Sequence, residues 1–395
     1  MNTIKQINFE NRTVLLREDL NVPFDKNGIL SDVRISAALS TIRFLIEKRA
    51  KVIVMSHLGR PKGEDPDFSL QIVADRLGQY LQKTVPVFSL SDTPPALEAG
   101  GVAMLENVRF YKGESENDPG LAKRYAALCD IFMMDAFAVS HRDHASTTGV
   151  IAQSPVVCMG PLFAKELAAL NQALECPKRP WVAVVGGGKV SSKLEVLLNL
   201  IDKVDTLVVG GAIANTFLKA KGIFVGQSRI EPELVATAER ILQTAQDLNK
   251  TIWLPEDVIV ADNMDAANVE HKLVTQISAS DQIFDIGPQS QKSLSKLLLD
   301  AKTIVWNGPM GVFEKPQFSA GTEALSQAIA DSTAYSIAGG GETLAAIEQF
   351  KIQEKVSVLS TGGGAFLQLL EAKPLPALVA LERHDSIDST VDVAP

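Results

Sequence analysis

The sequence predicts an α/β protein built as two Rossmann-like lobes, each a mainly parallel sheet covered by helices, and three observations predict it. Short β-rich runs alternate with longer helical patterns through both halves of the chain. The runs are apolar at consecutive positions, as strands of a parallel sheet covered on both faces must be. At 395 residues there is room for two domains with complete cores.

In the first half, strands are expected at Val14 to Leu16, Val52 to Met55, Val102 to Leu105 and Ile131 to Met134. In the second they are expected at Trp181 to Val185, Leu207 to Val209, Thr303 to Trp306, Ala334 to Ile337 and Val356 to Leu359. Between the halves, Phe163, Leu167, Leu170 and Leu174 recur at helical spacing, and Pro177 and Pro180 stop that helix. The domain boundary is placed there, with residues 1–175 as an N-lobe, 181–370 as a C-lobe and the helix as a hinge element. The polar, acidic tail from His384 to Pro395 is expected to fray.

Composition narrows the function classes. Hydrophobic content of 46% and charged content of 22% are those of a soluble globular protein. No 18-residue apolar run occurs, and Met1 to Phe9 lacks the basic and apolar regions of a signal peptide, so a cytoplasmic location is expected. Cys129, Cys158 and Cys176 stand singly and read as reduced, buried structural thiols. A net charge of −9 argues against nucleic acid or an anionic membrane as partner. Yet 11 of the 14 arginines fall in the first 180 residues, which points to a local anion pocket there.

Three glycine triplets, Gly186 to Gly188, Gly339 to Gly341 and Gly362 to Gly364, each follow a β-rich stretch. Backbone without a Cβ lets N–H groups approach phosphate closely, so three such turns in one half predict a nucleotide polyphosphate site. The first runs on through Lys189 and Lys193 into a helix marked by Leu194, Leu197 and Leu198. It is neither a P-loop, since Val190 follows Gly-Lys, nor a dinucleotide fingerprint, since Ser191 takes the sixth position. That absence counts against an NAD-dependent dehydrogenase.

The first half carries its chemistry at strand ends, where open α/β sheets bind ligands. The clusters are Arg17, Asp19 and Asn21; Ser56, His57, Leu58, Gly59 and Arg60; Glu106, Asn107 and Arg109; and Asp135, His141, Arg142 and His144. With Arg34 nearby in sequence, they predict a pocket for a small phosphorylated acid. The histidines have no zinc-site spacing, and no G-x-S-x-G elbow occurs. His271 and His384 lie outside any cluster.

Together the motifs Arg17-Glu-Asp-Leu-Asn-Val-Pro23, Ser56-His-Leu-Gly-Arg-Pro61, Leu105-Glu-Asn-Val-Arg-Phe110, Asp135-Ala-Phe with His141-Arg142, Gly186-Gly-Gly-Lys-Val190 with Lys193, Trp306-Asn-Gly-Pro309 with Gly311-Val-Phe-Glu314, Gly339-Gly-Gly-Glu-Thr343 and Ser360-Thr-Gly-Gly-Gly-Ala365 closely resemble the phosphoglycerate kinase family, in order and over nearly the whole chain. The resemblance implies a cleft between the two lobes, monomers, and a C-terminal segment, 375–395, packed back on the N-lobe. It implies that 3-phosphoglycerate or 1,3-bisphosphoglycerate binds through Asp19, Leu20, Asn21, Arg34, His57, Leu58, Gly59, Arg60, Arg109 and Arg142. It implies Mg-ADP or Mg-ATP on Gly186, Lys189, Lys193, Asn307, Glu314 (toward the ribose), Gly340, Gly341, Glu342 and Thr343, with Glu342 serving the Mg2+. Arg34 and Lys193 are the expected catalytic pair, holding the transferring phosphoryl group.

Three positions depart from the family pattern. Glu18 stands where a hydrophobic residue is usual, with a solvated carboxylate expected at the strand end. Ala138-Val139-Ser140 replaces Gly-Thr-Ala before the His-Arg pair. Glu342 replaces an aspartate.

Overall fold

The computed structural model describes Ile4, residues 7–360 and 362–391, with side chains of the last helix up to His384. Thr361 of the last glycine motif, most of the segment before Ile7 and residues 392–395 of the tail lie outside the described residues. The chain divides into two compact units, Met1–Ala168 with Pro374–Pro395, and Ala169–Lys373.

In the first unit the strands are β1 (Thr13–Arg17), a hairpin of β2 (Phe24–Asp25) and β3 (Gly28–Ile29), β4 (Lys51–Met55), β5 (Val87–Phe88), β6 (Val102–Leu105), β7 (Ile131–Met134) and β8 (Val157–Met159). Six of them form one parallel sheet in the order β5-β6-β4-β1-β7-β8. Side chains alternate across it. Val14, Leu16, Val52, Val54 and Met133 join one core with Ile35, Leu39 and Ile42 of α1 (Val33–Glu47), while Leu15, Ile53 and Phe132 are buried on the other face. Each such Leu or Ile contributes about 1.5–3 kcal/mol. The later helices here are α2 (Gln71–Leu81), α3 (Pro119–Ala126), α4 (Val150–Gln153) and the start of α5 (Pro161–Leu174).

The second unit holds β9 (Trp181–Val185), β10 (Thr206–Val209), β11 (Thr251–Trp253), β12 (Asp257–Ala261), β13 (Glu270–Leu273), β14 (Gln282–Ile286), β15 (Thr303–Asn307), β16 (Tyr335–Gly339) and β17 (Val358–Ser360). Its parallel sheet runs β11-β10-β9-β15-β16-β17, the doubly wound order 3-2-1-4-5-6. Its helices are α6 (Leu194–Leu200), α7 (Gly211–Ala220), α8 (Val235–Asp247), α9 (Pro288–Asp300), α10 (Ala320–Asp331), α11 (Gly341–Gln349) and α12 (Gly363–Leu370). The last helix, α13 (Pro376–Val391), belongs to the first unit, where Ala377 N donates to Ser140 O (3.1 Å) and a His384 ring nitrogen meets Ser154 O (2.9 Å).

The two mainly parallel sheets expected from the sequence are present. Absent from that expectation is the three-stranded antiparallel sheet β13-β12-β14. The expected strands at Ala334 and Val356 begin later, at Tyr335 and Val358, and the tail expected to fray from His384 continues as helix to Val391. Cys176 is exposed and Cys129 half-buried, so only Cys158 is the buried thiol expected of all three. Cys176 directly precedes Pro177, beyond the last turn of α5, and so has left the packed helix face. Among the described residues no helix is long and apolar enough to cross a membrane.

Candidate active site

Both parallel sheets reverse their strand order beside the first strand, and ligands of open α/β sheets bind beyond the carboxyl ends at that point. In the first unit the reversal lies between β1 and β7, in the second between β9 and β15. Glu18, Asp19 and Asp135 follow the first pair of strands. Gly186 and Gly308 follow the second.

In the first unit the loops are held by their own polar side chains. Asn107 donates to Leu58 O (2.8 Å) and Phe68 O (2.9 Å) and accepts from the N–H groups of Leu58 (3.2 Å) and Arg109 (3.1 Å). Asn21 Oδ1 accepts from Gly59 N (2.8 Å), and Ser56 Oγ from Leu20 N (2.9 Å). Leu20 and Leu58 are fully buried, and the N–H of Leu20 and the N–H and carbonyl of Leu58 are taken by these bonds, so the two predicted contact residues shape the loops from beneath. Arg34 pairs with Asp19, whose other oxygen lies 3.8 Å from His57 Nδ1.

Four guanidinium groups act on one imidazole. Burial first, then the charges of Arg17, Arg109, Arg142 and Arg34, hold the His57 pKa well below its ordinary value, so the ring is neutral near pH 7. His141 is likewise lowered to about 4, by burial and then by Arg142. Arg109 and Arg142 are half-buried and Arg60 exposed. Five arginines set against only Asp19 and Glu114 leave an excess of positive charge that suits a multiply charged anion.

Glu18 is not solvated. It is 2% exposed, and burial followed by neighbouring Asp135 raises its pKa well above the carboxylate range. Its N–H still donates to Met55 O (3.0 Å), so the chain has not yet left the sheet there and the side chain turns inward. Asp135 accepts from Thr41 Oγ1 (2.5 Å) and from Phe163 N in the first turn of α5 (3.0 Å). Ala138-Val139-Ser140 closes a tight turn in which Ser140 Oγ donates to Phe137 O (2.7 Å).

In the second unit the turns after β9 and β15 touch. A Cβ on Gly186 would stand 2.0 Å from Pro309 O, so only glycine allows that approach. Lys193, at the start of α6, donates to Asn307 Oδ1, and Asn307 Nδ2 donates to Gly339 O (2.7 Å). Burial lowers the Lys193 pKa, opposed by Glu342 and Glu371. Gly340 has φ +101° and opens α11, with Gly341 and Glu342 in its first turn. Thr343 is buried and accepts from Gly308 N (2.8 Å). Lys189 is exposed, and the turn carrying it is clamped by Glu231, which accepts from Ser191 N (3.0 Å) and Ser191 Oγ (2.5 Å). Beside these turns lies a cavity of about 560 Å³ whose lining includes Gly187, Met310, Glu314 and Glu342.

Among the described residues no three His, Cys, Asp or Glu side chains gather to hold a metal alone. The exposed Glu342 carboxylate beside the glycine turns fits a magnesium ion that keeps waters and takes phosphate oxygens as its other ligands.

The sequence reading missed Glu114, Arg229, Glu231 and Asp285. Asp285 was within reach, being an acid near the end of a strand before Gly287-Pro288, the signal used in the first half. It is 2% exposed, accepts from Gly321 N (2.7 Å), and burial raises its pKa to about 7. Between the unfolded-state value near 4 and about 7 the folded protein holds the extra proton, so this residue's contribution to stability is present below pH 4 and is lost as pH rises toward 7. In Asp285→Asn, thermal melts over pH 4–8 are expected to lose that decline relative to wild type. Parallel curves would show that the carboxyl does not titrate in this range.

The model of the phosphoglycerate kinase family matches residues 4–373. The chain is 50% identical to the phosphoglycerate kinase of Coxiella burnetii (strain RSA 493 / Nine Mile phase I) over 384 residues, 96% of this chain and 98% of that one. The solved phosphoglycerate kinase structure from Coxiella burnetii superposes with a TM-score of 0.92 at 49% identity, covering 96% and 98% of the two chains. That from Pyrococcus horikoshii OT3 gives 0.82 at 34% identity, covering 98% and 100%. With its motifs in order and its strand-end residues gathered at the two points of reversal, this chain belongs to the phosphoglycerate kinase family.

Proposed function

We infer that the chain catalyses reversible phosphoryl transfer between 1,3-bisphosphoglycerate and ADP, giving 3-phosphoglycerate and ATP. The observation that carries this reading is the pairing of an arginine cluster around a neutral His57 in one unit with Lys193 and Asn307 between glycine turns in the other. The leaving group in the glycolytic direction is a carboxylate, which needs no proton at neutral pH, and the attacking group is an anionic phosphate oxygen. A general base has no task, and the neutral His57 serves as a polar ligand. Catalysis consists of alignment and neutralisation of charge around the transferring group. Arg34 and Lys193 take its oxygens, aided by glycine N–H groups. Glu342 would hold a magnesium ion, which would supply neutralisation of the nucleotide phosphate charge. Substrates carried by different units must come into line, and an acyl phosphate must be kept from water, so closure of the hinge around α5 belongs to the proposal. Action as a monomer rests on the family resemblance alone, whereas a cytoplasmic location rests on the composition of the sequence.

A coupled assay with 3-phosphoglycerate and Mg-ATP tests the reading directly. Turnover with both substrates is expected, and none with either omitted. Arg142→Ala and Arg109→Ala are each expected to weaken 3-phosphoglycerate binding at least tenfold while leaving ADP binding unchanged, by calorimetric titration, since loss of a charge-assisted contact costs about 1.5–3 kcal/mol. Equal loss for both ligands would contradict separate sites. Glu342→Ala is expected to raise several-fold the magnesium concentration that gives half-maximal activity, whereas Glu342→Asp retains near-normal activity. An unchanged magnesium requirement with only a small drop in Tm would leave Glu342 as a charge at a helix N-terminus, worth about 0.3–1 kcal/mol.

A further inference from the structure

Arg229 is an arginine in the wall of the nucleotide cavity whose side chain has no partner among the described residues. It lines the cavity together with Gly188, Asn215, Ile283, Phe284 and Val312, and its Nη1 lies 3.5 Å from where a Cβ on Gly188 would stand. Among the described residues no carboxylate, carbonyl or ring takes its guanidinium. Its main chain is firmly held: Arg229 O accepts from Asn215 Nδ2 (3.2 Å), Ser228 Oγ accepts from Ile283 N (2.9 Å), and Glu231 N donates to Thr216 Oγ1 (3.2 Å). The segment is therefore pinned to α7 and to β14, and the guanidinium is carried at the cavity rather than on a free loop.

Which part of a nucleotide it meets follows from the division of the site. Of the residues proposed for the phosphates, Gly187, Gly188 and Glu342 line one end of this cavity, Lys193, Asn307, Gly340 and Thr343 stand outside it, and Ile283, Phe284, Met310 and Val312 line the apolar side, to which the bond from Ile283 N to Ser228 ties the Arg229 segment. This apolar chamber, with Glu314 at its wall, suits a base and ribose. A planar guanidinium in such a chamber has a flat aromatic face as its matching surface.

We propose that Arg229 lays its guanidinium against the exposed face of the nucleobase and so strengthens nucleotide binding through stacking rather than through phosphate. The proposal rests on the assignment of this cavity to ADP and ATP. Because every base offers a π-face, the contact adds affinity without selecting among purines.

The test is Arg229→Ala, with Arg229→Lys beside it, in calorimetric titrations of ADP and competitive displacement of ADP by adenosine. Stacking predicts that the alanine variant weakens ADP and adenosine by the same factor, about fivefold, with 3-phosphoglycerate affinity unchanged. It also predicts that the ADP factor is the same at low and high salt, and that lysine, which keeps the charge without the plane, fails to restore binding. A loss confined to ADP, shrinking with salt and rescued by lysine, would overturn the proposal in favour of a phosphate contact. No change for either ligand would overturn it in favour of a solvated arginine. Failure of the wild type to bind ADP at all would instead defeat the nucleotide-site assignment, so the two failures are distinct.

Discussion

Lys193→Ala is expected to lower kcat by about 100-fold or more while changing the KM for either substrate far less. In the free protein the ammonium is half-buried and donates to Asn307 Oδ1, so it stands ready between the turns after β9 and β15. Desolvation already lowers its pKa, and the nearby carboxylates of Glu342 and Glu371 keep the charge in place. A charge held in such a setting gains most when extra negative charge develops opposite it, which occurs in the transition state. One charge-assisted contact of that kind is worth about 3 kcal/mol, or roughly 100-fold in rate. Steady-state kinetics with both substrates varied is the measurement. A kcat within threefold of wild type would remove Lys193 from the reaction.

The largest loss of stability is expected from Arg17→Met. Arg17 is 2% exposed, donates from Nε to Ser146 Oγ (3.2 Å) and from Nη1 to Glu18 O (2.5 Å), and reaches Glu114 through that serine. Glu114, also 2% exposed, accepts from Ser146 N (3.1 Å) and Ser146 Oγ (2.6 Å). Methionine fills similar space yet removes a buried cation that acts on Glu114 and leaves Ser146 Oγ and Glu18 O without its donors, with only Arg109 and the His144 ring still facing Glu114 among the described residues. That costs about 3–5 kcal/mol, or roughly 10 °C in Tm for a unit of this size. The double variant with Glu114→Gln should recover a large share of the loss, and a double-mutant cycle reads the coupling. If Arg17→Met costs less than about 1 kcal/mol, the typical effect of a single substitution, the pair is not what holds these loops. Since Arg17 also contributes to the field that keeps His57 neutral, weaker 3-phosphoglycerate binding should accompany the loss.

Much of the fold and of the site was legible in the sequence, because the governing physics is local. Consecutive apolar residues such as Val52 to Met55 can be satisfied only by a strand covered on both faces, and polar residues directly after such strands must lie at the sheet edge. Glycine triplets after strands likewise mark close backbone approach whatever lies further along the chain. The antiparallel sheet β13-β12-β14 was not legible, since Glu270 to Leu273 is largely polar and its strand forms through its partner β12 rather than through its own pattern.

By itself, then, the sequence determined two mainly parallel sheets covered by helices, and it marked the arginine-rich strand ends and the glycine triplets as candidate anion and phosphate sites. The tertiary structure alone decided the strand order that puts Arg17 beside Asp135 and Gly186 beside Gly308. It also decided that Glu18 is buried against a second carboxyl, that Arg17 reaches Glu114 through Ser146, and that Asp285 and Arg229 line the cavity next to the glycine turns. The reason is physical: periodicity and turn chemistry act between neighbours in the chain, whereas burial and charge pairing depend on which distant segments the packing brings together.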